Sequence, residues 1–206
     1  MKRLVLALAL CAPLVVAAES DLIAGGDAER GKSLAATCAA CHGSNGVSGN
    51  PEWPSLAQQG TRYTYEQLKA FKGGDRKNAL MSAQAAGLSE QDMRDLAAYY
   101  AGLAYKPGIA SEEAVAIAEP LYRAGDLERN IPACAGCHAP NGVGNPAAGY
   151  PMVAGQHATY ASQRLKTYRD GEVNTASAKI MAAVAAQLTD EEIAALASYL
   201  NGLQVK

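Results

Sequence analysis

Cys38-Ala39-Ala40-Cys41-His42 is answered 96 residues later by Cys134-Ala135-Gly136-Cys137-His138. The order C-x-x-C-H has a local physical logic. Two thiols three positions apart on one helical turn reach the two vinyl groups of a single porphyrin and form thioethers. The His that follows lies under the iron, where its imidazole serves as proximal ligand. Other readings of C-x-x-C fit less well. A thioredoxin-like redox pair belongs in a strand-helix-strand pattern, which the surrounding sequence lacks. Two C-x-x-C pairs sharing one zinc usually lie within about twenty residues of each other, and zinc gives no reason for a His after each pair. Structural disulfides are the third alternative in an exported chain. The pattern predicts two covalently bound haem c groups, held by Cys38, Cys41, Cys134 and Cys137, with His42 and His138 on the irons.

Outward from the motifs the whole sequence repeats. Asn45 and Gly46 recur 96 residues on as Asn141 and Gly142, and Pro54, Leu68 and Lys69 recur 97 on as Pro151, Leu165 and Lys166. Phe71 is answered by Tyr168. Met81, Leu88, Leu96, Ala97, Tyr99, Gly102 and Leu103 recur 100 on as Met181, Leu188, Leu196, Ala197, Tyr199, Gly202 and Leu203. The drift needs only small loop insertions. Two copies are too few and too long for a solenoid, so the chain reads as a duplicated haem unit. Tyr105-Lys106-Pro107-Gly108 interrupts the pattern, because proline cannot continue a helix and glycine loosens the chain. The expected division is residues 19–104, a linker at 105–112, and residues 113–206.

Each unit reads as helical, with no convincing strand, which makes the fold class all-α. Ser89 and Thr189 each stand three residues before an acid, Asp92 and Glu192, and so open capping boxes. Met93, Leu96, Ala97 and Tyr100, and likewise Ile193, Leu196, Ala197 and Leu200, follow at the spacing of a one-sided helix. Gly102 and Gly202 stand where a left-handed residue would stop each helix. Middle helices are predicted from about Tyr63 to Lys72 and from about Tyr160 to Arg169. Opening helices are predicted from about Asp27 and around Ala114 to Arg123, the second separated from its motif by a loop with Gly125 and Pro132. A unit of about 90 residues has little core of its own, and the buried porphyrin is expected to supply much of it.

Residues 1–18 read as a secretory leader: Lys2 and Arg3, an apolar run from Leu4 to Val16, then a small-residue exit at Ala17-Ala18. The run is too short to favour a spanning helix, so cleavage after Ala18 is expected, with retention as a membrane anchor the alternative. Cys11 falls in the leader, behind a Leu10 too large for a good lipoprotein site, so the four remaining cysteines match two haems. The chain holds 18 basic and 20 acidic residues; without Lys2 and Arg3 the balance is 16 to 20, a net of −4. No basic run or basic-aromatic stripe is present, which argues against nucleic acid as a partner. The expectation is a mildly acidic protein exported to the periplasm.

Each iron offers a second axial position. Met81 and Met181 both stand seven residues before the Leu that precedes a capping box, and this matched placement assigns them as ligands. Filling a core is the alternative for any methionine. Met93, matched by Ile193, and Met152, matched by Ser55, break the repeat. His157, opposite Gly60, is the only spare His and reads as a loop or surface residue. Pro54 and Pro151, 12 and 13 residues after the ligating His, are expected to accept the other ring N–H through their carbonyls; the alternative is that each proline merely ends a loop. His/Met ligation favours ferrous iron and fills both axial positions with protein. Such a metal passes one electron and does little else.

The paired motifs, Pro54-Ser55-Leu56 with Gln59, Pro151-Met152-Val153-Ala154-Gly155-Gln156, the two methionines and the two capped terminal helices resemble the cytochrome c4 family of dihaem class I c-type cytochromes. The resemblance implies two tandem class I cytochrome c folds related by a pseudo-twofold axis. It also implies a periplasmic electron carrier, loosely membrane-associated, that feeds a terminal haem-copper oxidase. Electrons are expected from a quinol-cytochrome c reductase or a dehydrogenase. The rival readings are an electron-transfer subunit of a periplasmic dehydrogenase and a dihaem enzyme, either a peroxidase or a thiosulfate-oxidising cytochrome. One departure stands out: Gly74-Asp75-Arg76 resembles the family's glycine-arginine stretch, whereas the second unit reads Gly171-Glu172-Val173. Only the first unit is thus expected to offer a haem carboxylate that cation, and the two haems are expected to differ in potential.

Overall fold

The structure is a computed structural model and describes residues 25–171 and 174–205. The leader read in residues 1–18, and Glu172 and Val173 of the departure noted above, lie outside the described residues. Helices are the only regular elements among those described, apart from two isolated bridges, Asp126 with Ile131 and Asn145 with Tyr150. The first unit holds α1 (Ala28–Leu34), α2 (Ala39–His42), α3 (Thr61–Gly73), α4 (Ala79–Ala86) and α5 (Glu90–Ala101). The second holds α6 (Glu112–Ala124), α7 (Ala135–His138), α8 (Ala158–Arg169), α9 (Ala176–Ala185) and α10 (Asp190–Gly202). The packing scheme repeats with the sequence. In one unit α5 packs on α1 and α3, and α3 on α4; in the other α10 packs on α6 and α8, and α8 on α9.

Local chemistry starts these helices. The Ser89 hydroxyl accepts from the Asp92 N–H while the Asp92 carboxylate takes the Ser89 N–H at 2.8 Å, and Thr189 and Glu192 repeat the exchange. Asp27 caps α1, accepting from the Glu29 and Arg30 N–H groups. The expected left-handed stops lie elsewhere. Gly102 is right-handed, its N–H held by the Tyr99 and Tyr100 carbonyls, and Gly202 is the last residue of its helix. Left-handed glycines end the middle helices instead: Gly74 (φ +82°) and Gly171 (φ +72°), 97 apart, turn the chain there. Gly202 has a different reason: a Cβ there would stand 2.7 Å from the Ala110 N, so glycine lets the linker cross α10.

The cores are built of small residues around a few large ones. Leu96, Tyr100, Met93 and Ala97 of α5 meet Ala35 and Tyr65 in the first unit. In the second, Ala114, Ala118, Leu121 and Tyr122 of α6 meet Ile193, Leu196 and Tyr199 of α10, with the Tyr122 and Tyr199 rings tilted at 5.4 Å. Asp95 is fully buried under α1, accepting from the Asp27 N–H and Gln91 at 2.8 Å each and paired with Arg30. Burial pushes its carboxyl up, yet these partners together hold it below the ordinary carboxylate value. Gly31 sets how close α1 and α5 come, since a Cβ there would stand 2.0 Å from the Asp95 carbonyl oxygen. Gly31→Ala is expected to cost about 1–3 kcal/mol by overpacking, lowering the melting temperature by about 5–20 °C. Thermal denaturation of the holoprotein checks this; an unchanged midpoint would refute the crossing argument.

The two units meet through an exchange that repeats about the pseudo-twofold axis. The Ser55 N–H donates to Gln156 Oε1 and Gln156 Nε2 donates to the Ser55 carbonyl, both at 2.9 Å. The Met152 N–H donates to Gln59 Oε1 and Gln59 Nε2 donates to the Met152 carbonyl, again both at 2.9 Å. Ser55 and Met152, like Gln59 and Gln156, are 97 apart, so the same surface is used twice, as in an isologous dimer. His157 Nε2 lies 2.8 Å from the Ser48 carbonyl of the first unit. It is therefore an interface residue that caps the start of α8, not a surface one.

Candidate haem site

Each motif folds as the single helical turn that its spacing demands. The His42 N–H reaches the Cys38 carbonyl and the His138 N–H the Cys134 carbonyl, both at 2.9 Å. The four sulfurs are unpaired. Among the described residues no cluster of three or more His, Cys, Asp or Glu could hold a metal ion, which leaves the zinc alternative without a site. Burial pushes the Cys134 thiol up to about 11.

Both motif histidine rings are buried, His42 at 7% and His138 at 8% exposure. His42 Nδ1 donates to the Pro54 carbonyl at 2.8 Å and His138 Nδ1 to the Pro151 carbonyl at 2.9 Å, as the repeat predicts. Burial lowers both pKa values and the carbonyls only partly oppose it, so the rings stay neutral. A neutral imidazole whose Nδ1–H is engaged has its lone pair on Nε2, the atom that can bind a metal. Each Pro carbonyl is itself placed by a tight loop: the Gly46 carbonyl takes the Leu56 and Ala57 N–H groups, and the Gly142 carbonyl takes those of Val153 and Ala154.

In the second unit Cys134, Cys137, His138 and Met181 line one cavity of about 860 Å³, its open mouth included. Met181 reaches it from α9, half-buried. In the first unit Met81 has the matching place on α4, half-buried and with its N–H capped by Asn78 at 2.9 Å. Met93 and Met152 are core residues, as their broken repeat predicts. The walls fit a large, flat, mostly apolar group carrying acidic edges. Tyr63, Tyr150, Pro151, Tyr168 and Val184 supply apolar surface, while Arg76 and Arg164 supply positive charge that outnumbers the one carboxylate, Asp75. The Arg164 Nε and, in the first unit, the Thr64 hydroxyl are buried without a partner, the kind of orphan that a bound group answers.

Arg76 corrects the sequence reading. It belongs to the first unit but lines the second unit's cavity, donating to Gln67 at 2.6 Å and to the Tyr160 hydroxyl across the interface at 2.8 Å. Its guanidinium also lies over the Phe71 ring at 4.5 Å. The cation is thus placed where the units meet and is not reserved for the first haem. Sequence reasoning also missed Tyr63 and Gln67, which reach the same cavity from α3. Gln59 and Gln156 carried a signal, identical residues 97 apart, though not one that says what they hold.

Comparison with known proteins agrees with this geometry. The family model described as Cytochrome c matches twice, over residues 28–104 and 128–204. Cytochrome c4 of Pseudomonas aeruginosa is 44% identical over 181 residues, 87% of this chain and 90% of that protein. The crystal structure of reduced recombinant cytochrome c4 from Pseudomonas stutzeri superposes with a TM-score of 0.84 at 43% identity, covering 87% of this chain and all of that one. The thiosulfate dehydrogenase electron acceptor of Thiomonas intermedia is 39% identical over 171 residues, 81% of this chain and 78% of that protein. Two tandem cytochrome c domains, each with a C-x-x-C-H motif for one covalent haem c, place the chain in the cytochrome c4 family.

Proposed function

We propose that this protein is a periplasmic electron carrier and not an enzyme, taking single electrons from a quinol-cytochrome c reductase or a dehydrogenase and delivering them to a terminal haem-copper oxidase. The observation that carries the reading is His138 and Met181 lining one cavity together with Cys134 and Cys137. His138 and Met181, and by the repeat His42 and Met81, are assigned as the axial pairs. Haem held this way supplies a one-electron couple with a raised potential. The protein's own work is to keep both axial positions occupied and to hold each histidine at a fixed angle. Arg76, Arg164 and the cavity's tyrosines would offer charge and hydrogen bonds to the carboxylates of such a group. No helix among the described residues is long and apolar enough to cross a membrane; loose membrane association is part of the proposed role.

A spectroscopic redox titration of the holoprotein tests this. It is expected to show two haems, the weak methionine-to-iron absorption band, no reaction with cyanide or peroxide, and two resolved one-electron components. Arg76 and Arg164 both line the second unit's cavity, which gives the two haems unlike surroundings and underlies the expected separation. A single component would refute the separation; peroxide reactivity would refute the carrier. The relative named as a thiosulfate dehydrogenase electron acceptor favours one second reading, an electron-transfer partner of a periplasmic dehydrogenase. Stoichiometric co-purification with a catalytic subunit would establish that role instead.

A further inference from the structure

The two interface glutamines do more than join the units. The Pro54 carbonyl that holds His42 and the Ser55 N–H that Gln156 accepts belong to one peptide group. The Pro151 carbonyl that holds His138 and the Met152 N–H that Gln59 accepts belong to another. Each proximal ring is therefore one end of a short chain: imidazole N–H to carbonyl, then through the peptide plane, N–H to an amide oxygen on the other unit. Hydrogen bonds in such a chain polarise one another, each strengthened by roughly 10–30%.

The glutamines are rigidly oriented. Gln59 Oε1 also accepts the Gly60 N–H at 2.9 Å, and Gln156 Oε1 the His157 N–H at 3.0 Å. Two N–H donors thus converge on each oxygen, and each Nε2 is committed to the Ser55 or Met152 carbonyl. Gln59 is itself buried, at 8% exposure, so water cannot readily substitute for it.

We infer that Gln59 and Gln156 are positioning residues acting crosswise: Gln59 of the first unit tunes the proximal histidine of the second, and Gln156 tunes that of the first. An acceptor on the peptide N–H makes the carbonyl oxygen more negative and the imidazole N–H bond to it stronger. The ring then donates more electron density to the metal and favours the oxidised state. Removing the acceptor raises the potential of the haem in the opposite unit. This inference rests on the proposal that His42 and His138 are iron ligands.

The test is an NMR-monitored redox titration of the holoprotein, following the ring signals of His42 and His138 separately, in wild type, Gln59→Met and Gln156→Met. Gln59→Met is expected to raise the reduced-to-oxidised ratio of the His138 haem at fixed potential by about twofold to tenfold, about 20–60 mV on a one-electron couple. The His138 Nδ1–H resonance moves upfield, and the His42 haem changes far less. Gln156→Met is expected to give the mirror result, which keeps the question open to measurement if one variant folds poorly. Equal shifts at both haems, a shift confined to the mutated unit's own haem, or no shift in a folded variant would each overturn the relay. Wild-type histidine rings without paramagnetic shifts would overturn the ligand assignment itself, which separates the two failures.

Discussion

Met181→Ala is expected to open one iron and leave the other closed. Half of the methionine-to-iron band is lost, cyanide binds at a single haem, and the potential of that haem falls by on the order of 100 mV, within the roughly 0.8 V that axial ligation spans. The helix that carries the residue tolerates the change. α9 reads Ala176-Ser177-Ala178-Lys179-Ile180-Met181-Ala182-Ala183-Val184-Ala185, capped by the Thr175 hydroxyl on the Ala178 N–H at 3.2 Å, and alanine is the best helix former. Met181 is only half-buried, so the fold loses about 1–2 kcal/mol at most from its removal. Met93→Ala is the informative contrast. Met93 is 1% exposed in the first unit's core, and its truncation is expected to cost about 2–5 kcal/mol with the spectrum unchanged. Absorption spectra with and without cyanide, beside thermal denaturation, separate the two classes of methionine. An unchanged band in Met181→Ala would remove this residue from the ligand set, and with it the argument that both axial positions are closed. Met81→Ala is the same experiment on the first haem.

The parts of the molecule legible in the sequence are those whose causes are local or repeated. Ser89 with Asp92 and Thr189 with Glu192 announce their helices because donor and acceptor lie three residues apart. The Pro54 and Pro151 carbonyls were found because the same residue follows each motif at nearly the same distance, and a proximal histidine needs an acceptor. What escaped is non-local. Gln59 meets Met152 across 93 residues and Arg76 meets Tyr160 across 84, pairings set by how two finished units pack. His157 looked like a loop residue for the same reason, its partner Ser48 being 109 residues away. Gly202 misled in another way: a glycine near a helix end suggests a left-handed stop, whereas this one is small because the linker's Ala110 presses on it.

Replacing Cys38, Cys41, Cys134 and Cys137 together by alanine is expected to leave a chain that is largely unfolded at room temperature. The substitutions themselves are mild, since a half-buried thiol and a methyl group differ little in size. The effect comes from what the chain can no longer retain. Among the described residues, half of the buried apolar ones are alanine: Ala35, Ala57, Ala70, Ala85 and Ala97 in the first unit, and Ala114, Ala118, Ala154, Ala161, Ala178, Ala185, Ala195 and Ala197 in the second. At about 0.8 kcal/mol per buried methylene-sized group, such residues contribute far less than leucine or phenylalanine would. The chain has one Phe and one Trp in 206 residues. A domain of this size already buries only about 60–65% of its unfolded surface, and the cavity at the second motif, its open mouth included, spans about 860 Å³ that side chains of the two units do not fill. Without a large apolar group there, the lining of Tyr63, Tyr168, Met181 and Val184 loses its packing partner, while Arg164 keeps a buried donor unanswered. Far-UV circular dichroism is expected to lose most of its helical signal, and heating to give a broad drift where the holoprotein gives a sharp step. A cooperative transition in the four-alanine variant would mean that the alanine-lined helices hold each other without the porphyrin, and that the cavity is a property of the folded chain alone.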